Sequence, residues 1–315
     1  NIGLNDYVSG FGFGSGYFGE SSWGGGTAGF SAQLRLWTID NFGEDMIANP
    51  RGGGLFLWDK TNGTSTRAVN FSTLSGASDV PTIASQIIVS ETDRHILALG
   101  ANTIGTSTQD PMLVRWCNQE DAAVWTPKTT NTAGSIRLSA GSKIIGASRT
   151  REEIIVFTDI ALYAIQFIGP PFTFGVNLVT QSVSMVSPQA AINANNAIYF
   201  MDEDNFYIYE GAVQALPCTV RAYVFDDFNY SQVYKVFAAK NAKFNEVTWF
   251  YCSSSSTEID RYVTYNYLDK VWHIGTMDRT AWIDIGAASI APLSTGTDNY
   301  LYNQETGSNA DGSAL

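Results

Sequence analysis

The chain has 315 residues, 44% hydrophobic and 13% aromatic, enough to bury a substantial core as one large β domain or two smaller ones, which excludes a disordered chain. Its formal charge of −12 comes from 30 acids against 18 bases scattered singly, which excludes a surface that grips nucleic acid, because such a surface needs a concentrated positive stripe. The acidity reads either as a solubility device or as a surface past which DNA moves without adhering.

The N-terminal stretch "GFGFGSGYFGESSWGGG" has G-x-G spacing but lacks the Gly-Lys-Ser/Thr of a phosphate loop and leads into no helical pattern. A plain linker would be Ser-rich and poor in aromatics. Residues 1–31 are therefore expected to be an arm whose Phe11, Phe13, Tyr17, Phe18 and Trp23 pack on the rest of the chain or on a neighbouring subunit. The opening residues carry no signal-peptide pattern, and the lack of an initiator Met suggests a processed or trimmed start. No apolar run approaches the roughly 18 residues of a membrane span.

From residue 32 onward the chain reads as short β runs separated by turn residues. The clearest repeat pairs "EIIVFTDIALYAIQF" with "NAIYFMDEDNFYIYEG": Asp159 aligns on Asp202, Ile155 on Ile198 and Phe157 on Phe200, each giving strand, acidic turn, strand. Weaker copies begin near Asp45, His95, Glu246 and Ala281. With first strands expected near Asp45, His95, Ile154, Ala197, Glu246 and Ala281, the spacing is comparable to the ~40–50 residues of a propeller blade. The expected fold is all-β, a β-propeller of about six blades over residues 32–315; the alternative is a pair of β-sandwiches. Two segments break the strand rhythm. "SPQAAINAN" (187–195) and "DDFNYSQVYKVFAAKN" (226–241) hold helix formers behind the possible caps Ser187 and Asp227, and are expected to be short helical insertions.

Catalytic chemistry has little material. The two histidines, His95 and His273, each sit in a strand pattern with no G-x-S-x-G elbow, and read as ordinary strand residues. Asp202, Glu203 and Asp204, Asp226 and Asp227, and Glu152 and Glu153 are adjacent acids, which is weak support for two carboxylates facing each other across a sugar. They read as turn or solvated residues; a propeller glycosidase using Asp202 or Asp227 is an alternative. "DEDNFYIYEG" lacks the Gly at position six and the terminal Glu of a calcium loop, so no metal is expected. Cys117, Cys218 and Cys252 lie far apart with no C-x-x-C spacing, as expected of reduced, buried thiols in a protein assembled in a cytoplasm. No cofactor is expected.

The stretches "AGSIRLSAGSKIIGASRTREEIIVFTDIALYAIQFIGPPFTFGVNLV", "VSPQAAINANNAIYFMDEDNFYIYEGAVQALPCTV" and "VFDDFNYSQVYKVFAAKNAKFNEVTWFYCSSSSTEIDRYVTYNYLDKVWHIGTMDRTAWIDIG" resemble a family of tailed-phage virion proteins. These are the propeller-bearing tail hub, nozzle or "DNA stabilisation" proteins of short-tailed phages and their marine relatives. The likeness covers about residues 133–286; "LWTIDNFGEDMIANPRGGGLFLWD" and the Gly-aromatic stretch add weaker support. In those relatives more chain lies beyond a C-terminal E-x-G, so "QETGSNADGSAL" resembles an early stop, with further residues needed to complete the last blade. The resemblance implies a non-enzymatic part of the virion, in a ring commonly of six subunits below the portal and adaptor. Its partners would be its own copies and other tail proteins, adaptor and fibres, with DNA passing non-specifically through the conduit during retention and ejection. It transfers no catalytic residues. A carbohydrate- or receptor-binding propeller of the virion is the alternative from another class.

Overall fold

A computed structural model describes residue 34, residues 36–285 and 291–307, and the backbone of 309–310 and 313–314. The chain is all-β, with the fold class of a six-bladed β-propeller: six small antiparallel sheets follow one another along the sequence, each with its strands in chain order. That consecutive pairing excludes the sandwich alternative, whose large sheets need long crossings. The chain divides into two compact units, residues 1–185 and 186–315.

In the first unit, sheet I contains β1 (Trp37–Phe42), β2 (Asp45–Pro50), β3 (Phe56–Trp58) and β4 (Val69–Asn70). Sheet II contains β5 (Gln86–Ser90), β6 (His95–Leu99), β7 (Leu113–Trp116) and β8 (Gly134–Arg137). Sheet III contains β9 (Ile144–Arg149), β10 (Glu153–Thr158), β11 (Ala161–Gly169) and β12 (Thr173–Gln181).

Sheet II is buried on both faces, and the period of two along its strands sorts the side chains. Ile87, Val89, Ile96 and Ala98 join Ile47, Leu55 and Phe71 of the sheet I side in one core. Ile88, Leu97, Leu99, Val114 and Trp116 join Ile144, Ile154, Val156, Tyr163 and Phe174 of sheet III in another. This double burial is why "HILAL" is an unbroken apolar run with every residue buried.

In the second unit, sheet IV contains β13 (Ala191–Ala194), β14 (Ala197–Met201), β15 (Phe206–Tyr209) and β16 (Val213–Ala215). A one-turn helix, α1 (Arg221–Asp226), and a 3-10 segment, Tyr230–Lys235, lead into sheet V. That sheet contains β17 (Phe237–Asn241), β18 (Glu246–Tyr251), β19 (Arg261–Asn266) and β20 (Val271–Thr276). Sheet VI has the described strands β21 (Ala281–Ile283), β22 (Leu293–Thr295) and β23 (Leu301–Asn303). Its Trp282 packs on Phe250 of sheet V at 5.9 Å between ring centroids.

Three expectations are corrected. The runs at Asp45, His95, Ile154, Ala197 and Glu246 are the second strands of their sheets, β2, β6, β10, β14 and β18; only Ala281 opens the first strand of its sheet. The true first strands read weakly because they spend polar side chains on the neighbouring sheet. Val89 N donates to Asp40 Oδ2 at 2.9 Å, and Gln86 exchanges two bonds with the Ala147 backbone, at 2.9 and 2.8 Å.

Residues 187–195 form no helix. Ser187 Oγ donates to Val236 O at 2.5 Å, and 191–194 become β13, because pairing with the apolar β14 satisfies their backbone and overrides alanine's helical preference. In 226–241 the α-helix lies earlier, so that Asp227 ends α1 instead of starting a helix. Asn229 caps the 3-10 segment through Ser231 N at 3.0 Å, and "FAAKN" alternates buried and half-buried residues as a strand.

Candidate functional site

The expected packing arm with Phe11, Phe13, Tyr17, Phe18 and Trp23 lies outside the described residues. The acids fall in separate local turns. Asp202, Glu203 and Asp204 occupy the β14–β15 turn, where Arg221 Nη2 donates to Asp204 Oδ2 at 2.8 Å and Tyr230 Oη donates to Glu203 O at 3.0 Å. Asp227 sits 3.6 Å from Arg261 Nε and accepts from Ser254 Oγ at 2.7 Å. That hydroxyl bond, more than the arginine, holds the Asp227 carboxyl below its ordinary range. Glu153 opens β10, with Glu152 exposed in the preceding turn.

All three cysteines are free thiols, with Cys117 and Cys252 buried and Cys218 half-buried. Burial pushes the Cys117 thiol up to about 12, which makes it inert. Among the described residues no group of three or more His, Cys, Asp or Glu is placed to hold a metal ion, and no helix is long and apolar enough to cross a membrane.

His95 proves to be a brace. It is fully buried at the start of β6, where Nδ1 donates to Asp93 Oδ2 at 2.6 Å and Nε2 lies 2.9 Å from Thr132 Oγ1. Ser90 Oγ bonds the other Asp93 oxygen. Thr132 also accepts Gln119 N at its hydroxyl, 2.9 Å, and Trp116 Nε1 at its carbonyl, 2.8 Å. The indole crosses so close to Gly134 that a Cβ there would stand 2.4 Å from Trp116 Cζ2. Glycine is thus required for close approach, and no side chain is admitted. Polar groups at 0% exposure must be paired in this way or cost free energy.

The brace supports a surface that sequence reasoning missed. β11 and β12 are nine residues each, against three to six in the other strands of sheets I to VI that have more than two residues. Their hairpin is rooted on His95: Phe174 packs edge-on to His95 at 5.3 Å and to Trp116 at 5.2 Å, and Phe167 packs on Phe174 at 5.8 Å. Thr173 Oγ1 adds a bond to Thr132 O at 3.1 Å. Beyond this root the tip presents Ile168, 55% exposed, and Phe172, 72% exposed, beside Pro170 and Pro171. Charged residues border its base, where Arg149 meets Glu91 at 2.6 Å and also Asp40. An apolar centre with a charged rim is the anatomy of a protein interface. The signal in the sequence was "FIGPPFTF", an apolar run kept through a Gly-Pro-Pro turn where polar residues are the norm.

No family model matches the chain, and no curated protein matches it. Solved structures similar to it include Hsv2 from Kluyvelomyces marxianus, at 9% identity and TM-score 0.47, covering 87% of this chain and 75% of that one. The computationally designed Ika8 protein is similar at 10% identity and TM-score 0.49, over 86% of this chain and 71% of that one. The extracellular domain of a hybrid two-component system from B. thetaiotaomicron reaches TM-score 0.51 at 11% identity, over 87% of this chain and 32% of that one. At such identity the last likeness speaks to fold alone.

Proposed function

We propose that this chain is a non-catalytic structural component of a tailed-phage virion, a tail nozzle or hub protein that assembles with its own copies into a ring around the path of the DNA. The observation that carries an assembly role is the braced β11–β12 hairpin, whose tip holds Ile168 and Phe172 in solvent. A long, rigidly rooted apolar tip costs solubility unless a partner covers it. The virion context rests on the residue-level resemblance over about residues 133–286. A net charge of −12 suits a wall that DNA must pass without adhering.

Light scattering after size exclusion, with electron microscopy of the same fractions, tests this reading. The expected result is a ring, with six copies as the family resemblance implies, that the double substitution Ile168→Ser and Phe172→Ser shifts toward monomer while circular dichroism stays unchanged. A wild-type chain that stays monomeric at every concentration reached, with the double variant indistinguishable from it, would refute the proposal. So would electron microscopy placing the protein outside the tail.

A further inference from the structure

We infer that sheet II carries a binding site for a small hydroxylated monocarboxylate, with the carboxylate taken by the guanidinium of Arg115 and the hydroxyls by Asp79 and the neighbouring Thr and Ser side chains. Arg115 is the third residue of β7 and is 1% exposed. It pairs across the sheet with Ala98, whose side chain belongs to the core shared with sheet I.

A guanidinium has five N–H donors. Here Nη1 donates to Asn102 O at 3.1 Å and Nη2 donates to Asp79 O, while Nε is buried with no partner among the described residues. Both acceptors are neutral carbonyls. No described carboxylate lies within ion-pair distance of Arg115, although other arginines do pair with acids, as Arg137 with Asp110 and Arg221 with Asp204. The acid whose charge acts on it is Asp79, whose Oδ2 already accepts from Thr126 Oγ1 at 2.6 Å. Burial accordingly pushes the Arg115 guanidinium down, and Asp79 restores only part of that loss.

Binding two carbonyls needs no charge, and a buried charge without a counter-ion is costly. The site also holds strain. Asp79, which is not glycine, has φ 48°, in the left-handed region, and its carbonyl is the one turned onto Nη2.

Arg115 borders a hollow of about 250 Å³, open to solvent, with Thr82, Thr106 and Ser107 on its rim and Asp79 in its wall. Asn102 fixes that rim: its Oδ1 accepts Thr82 N at 2.8 Å and its Nδ2 donates to Thr106 O at 2.6 Å. The volume lies below the ~300–1,000 Å³ of drug-sized pockets, which sets the ligand's size. A single planar guanidinium matches one carboxylate. Asp79 disfavours a dianion such as phosphate but accepts hydroxyl protons, and the rim hydroxyls give and take them.

The test is calorimetric titration of the full chain with glucuronate, acetate, glucose and inorganic phosphate, with folding followed by circular dichroism. Glucuronate is expected to bind saturably, acetate more weakly, and glucose and phosphate not at all. Arg115→Lys should weaken glucuronate about tenfold, because the ammonium offers a point charge in place of the fork. Asp79→Asn should weaken glucuronate more than acetate, and Ser107→Ala, on the exposed rim of a folded protein, should weaken glucuronate alone. The site is refuted if folded wild-type protein binds neither carboxylate, if phosphate binds as well as glucuronate, or if none of the three variants alters glucuronate affinity. The last two variants read the site in a folded chain even where Arg115→Lys fails to fold.

Discussion

The two units fasten their sheets to one another by different chemistry. In residues 1–185 the fasteners are charges and amides. Arg51, just past β2, reaches Ser85 O at 3.3 Å, just before β5 of sheet II, and Ile145 O at 3.0 Å in β9 of sheet III. Gln86 mimics a strand against Ala147, and Arg149 joins Asp40 to the Val89 carbonyl. In residues 186–315 the fasteners are indoles. Trp249 donates to Ala190 O at 3.0 Å, Trp272 to Pro217 O at 2.9 Å and Trp282 to Lys240 O at 3.0 Å. The rings of Trp249 and Trp272 also fill the sheet IV–V interface, with Phe206 4.9 Å from Trp249 and 4.8 Å from Trp272. An indole here combines core filling with a polar staple from one sheet to the next, a stapling role that Arg51, Gln86 and Arg149 take in the first unit.

The comparison can be broken at its strongest point. Trp249→Ala removes a fully buried ring and its bond, and is expected to cost about 3–5 kcal/mol in urea unfolding. Trp249→Phe keeps most of the ring and should cost less, since a single net hydrogen bond is worth about 1 kcal/mol. Equal losses in the two variants would show that the staple, and not the ring, holds sheet IV to sheet V.

Next in size is Gln86→Leu, which conserves bulk but strands the N–H and C=O of Ala147 in a buried interface. The expected loss is about 1–3 kcal/mol for each unsatisfied group, lowering the urea midpoint. A neutral outcome would mean that water replaces the amide and that the first unit is less dry than its burial indicates.

Arg149→Met leaves the largely buried Asp40 carboxylate without its cation and should destabilise by about 1–3 kcal/mol. It should also flatten the salt dependence of the wild type, because the pair is partly open to solvent. An unchanged salt slope would place the fastening in the Val89 bonds instead.

The smallest effect is on acid stability. Asp159 is partly desolvated, which raises its carboxyl, but bonds from Ser142 N at 2.8 Å, from Ser142 Oγ and from Lys143 N outweigh that and leave it lowered. A lowered folded value means that the stability it contributes is complete above the unfolded value of ~3.9 and is lost as pH falls through the folded one. Ser142→Ala should therefore shrink the stability gap between neutral and strongly acidic pH. Parallel melting curves for both proteins across that range would count against the assignment.

Much of the fold was legible. Asp159 and Asp202 do occupy the turns of equivalent hairpins, β10–β11 and β14–β15, since alternation and an acidic turn are properties of a dozen consecutive residues. Local pattern misleads where the partners are distant in the chain. β1, β5 and β9 read weakly because Asp40, Gln86 and Arg149 look like surface residues until another sheet lies against them. "SPQAAINAN" reads as helical in isolation, and residues 191–194 become β13 only because β14 pairs with them. The hairpin tip left a trace in "FIGPPFTF", but its root did not, because His95 and Phe174 meet from strands of different sheets.

By itself the amino-acid order determined an all-β chain, about six repeated meanders and their acidic turns, because strand periodicity and turn preference act over neighbouring residues. Only the tertiary structure decided which strand opens each sheet, that His95 braces a projecting hairpin, and that Arg115 is a buried cation with no described acid in ion-pair reach. Those outcomes depend on which groups desolvate one another across long separations, and local pattern carries no record of that.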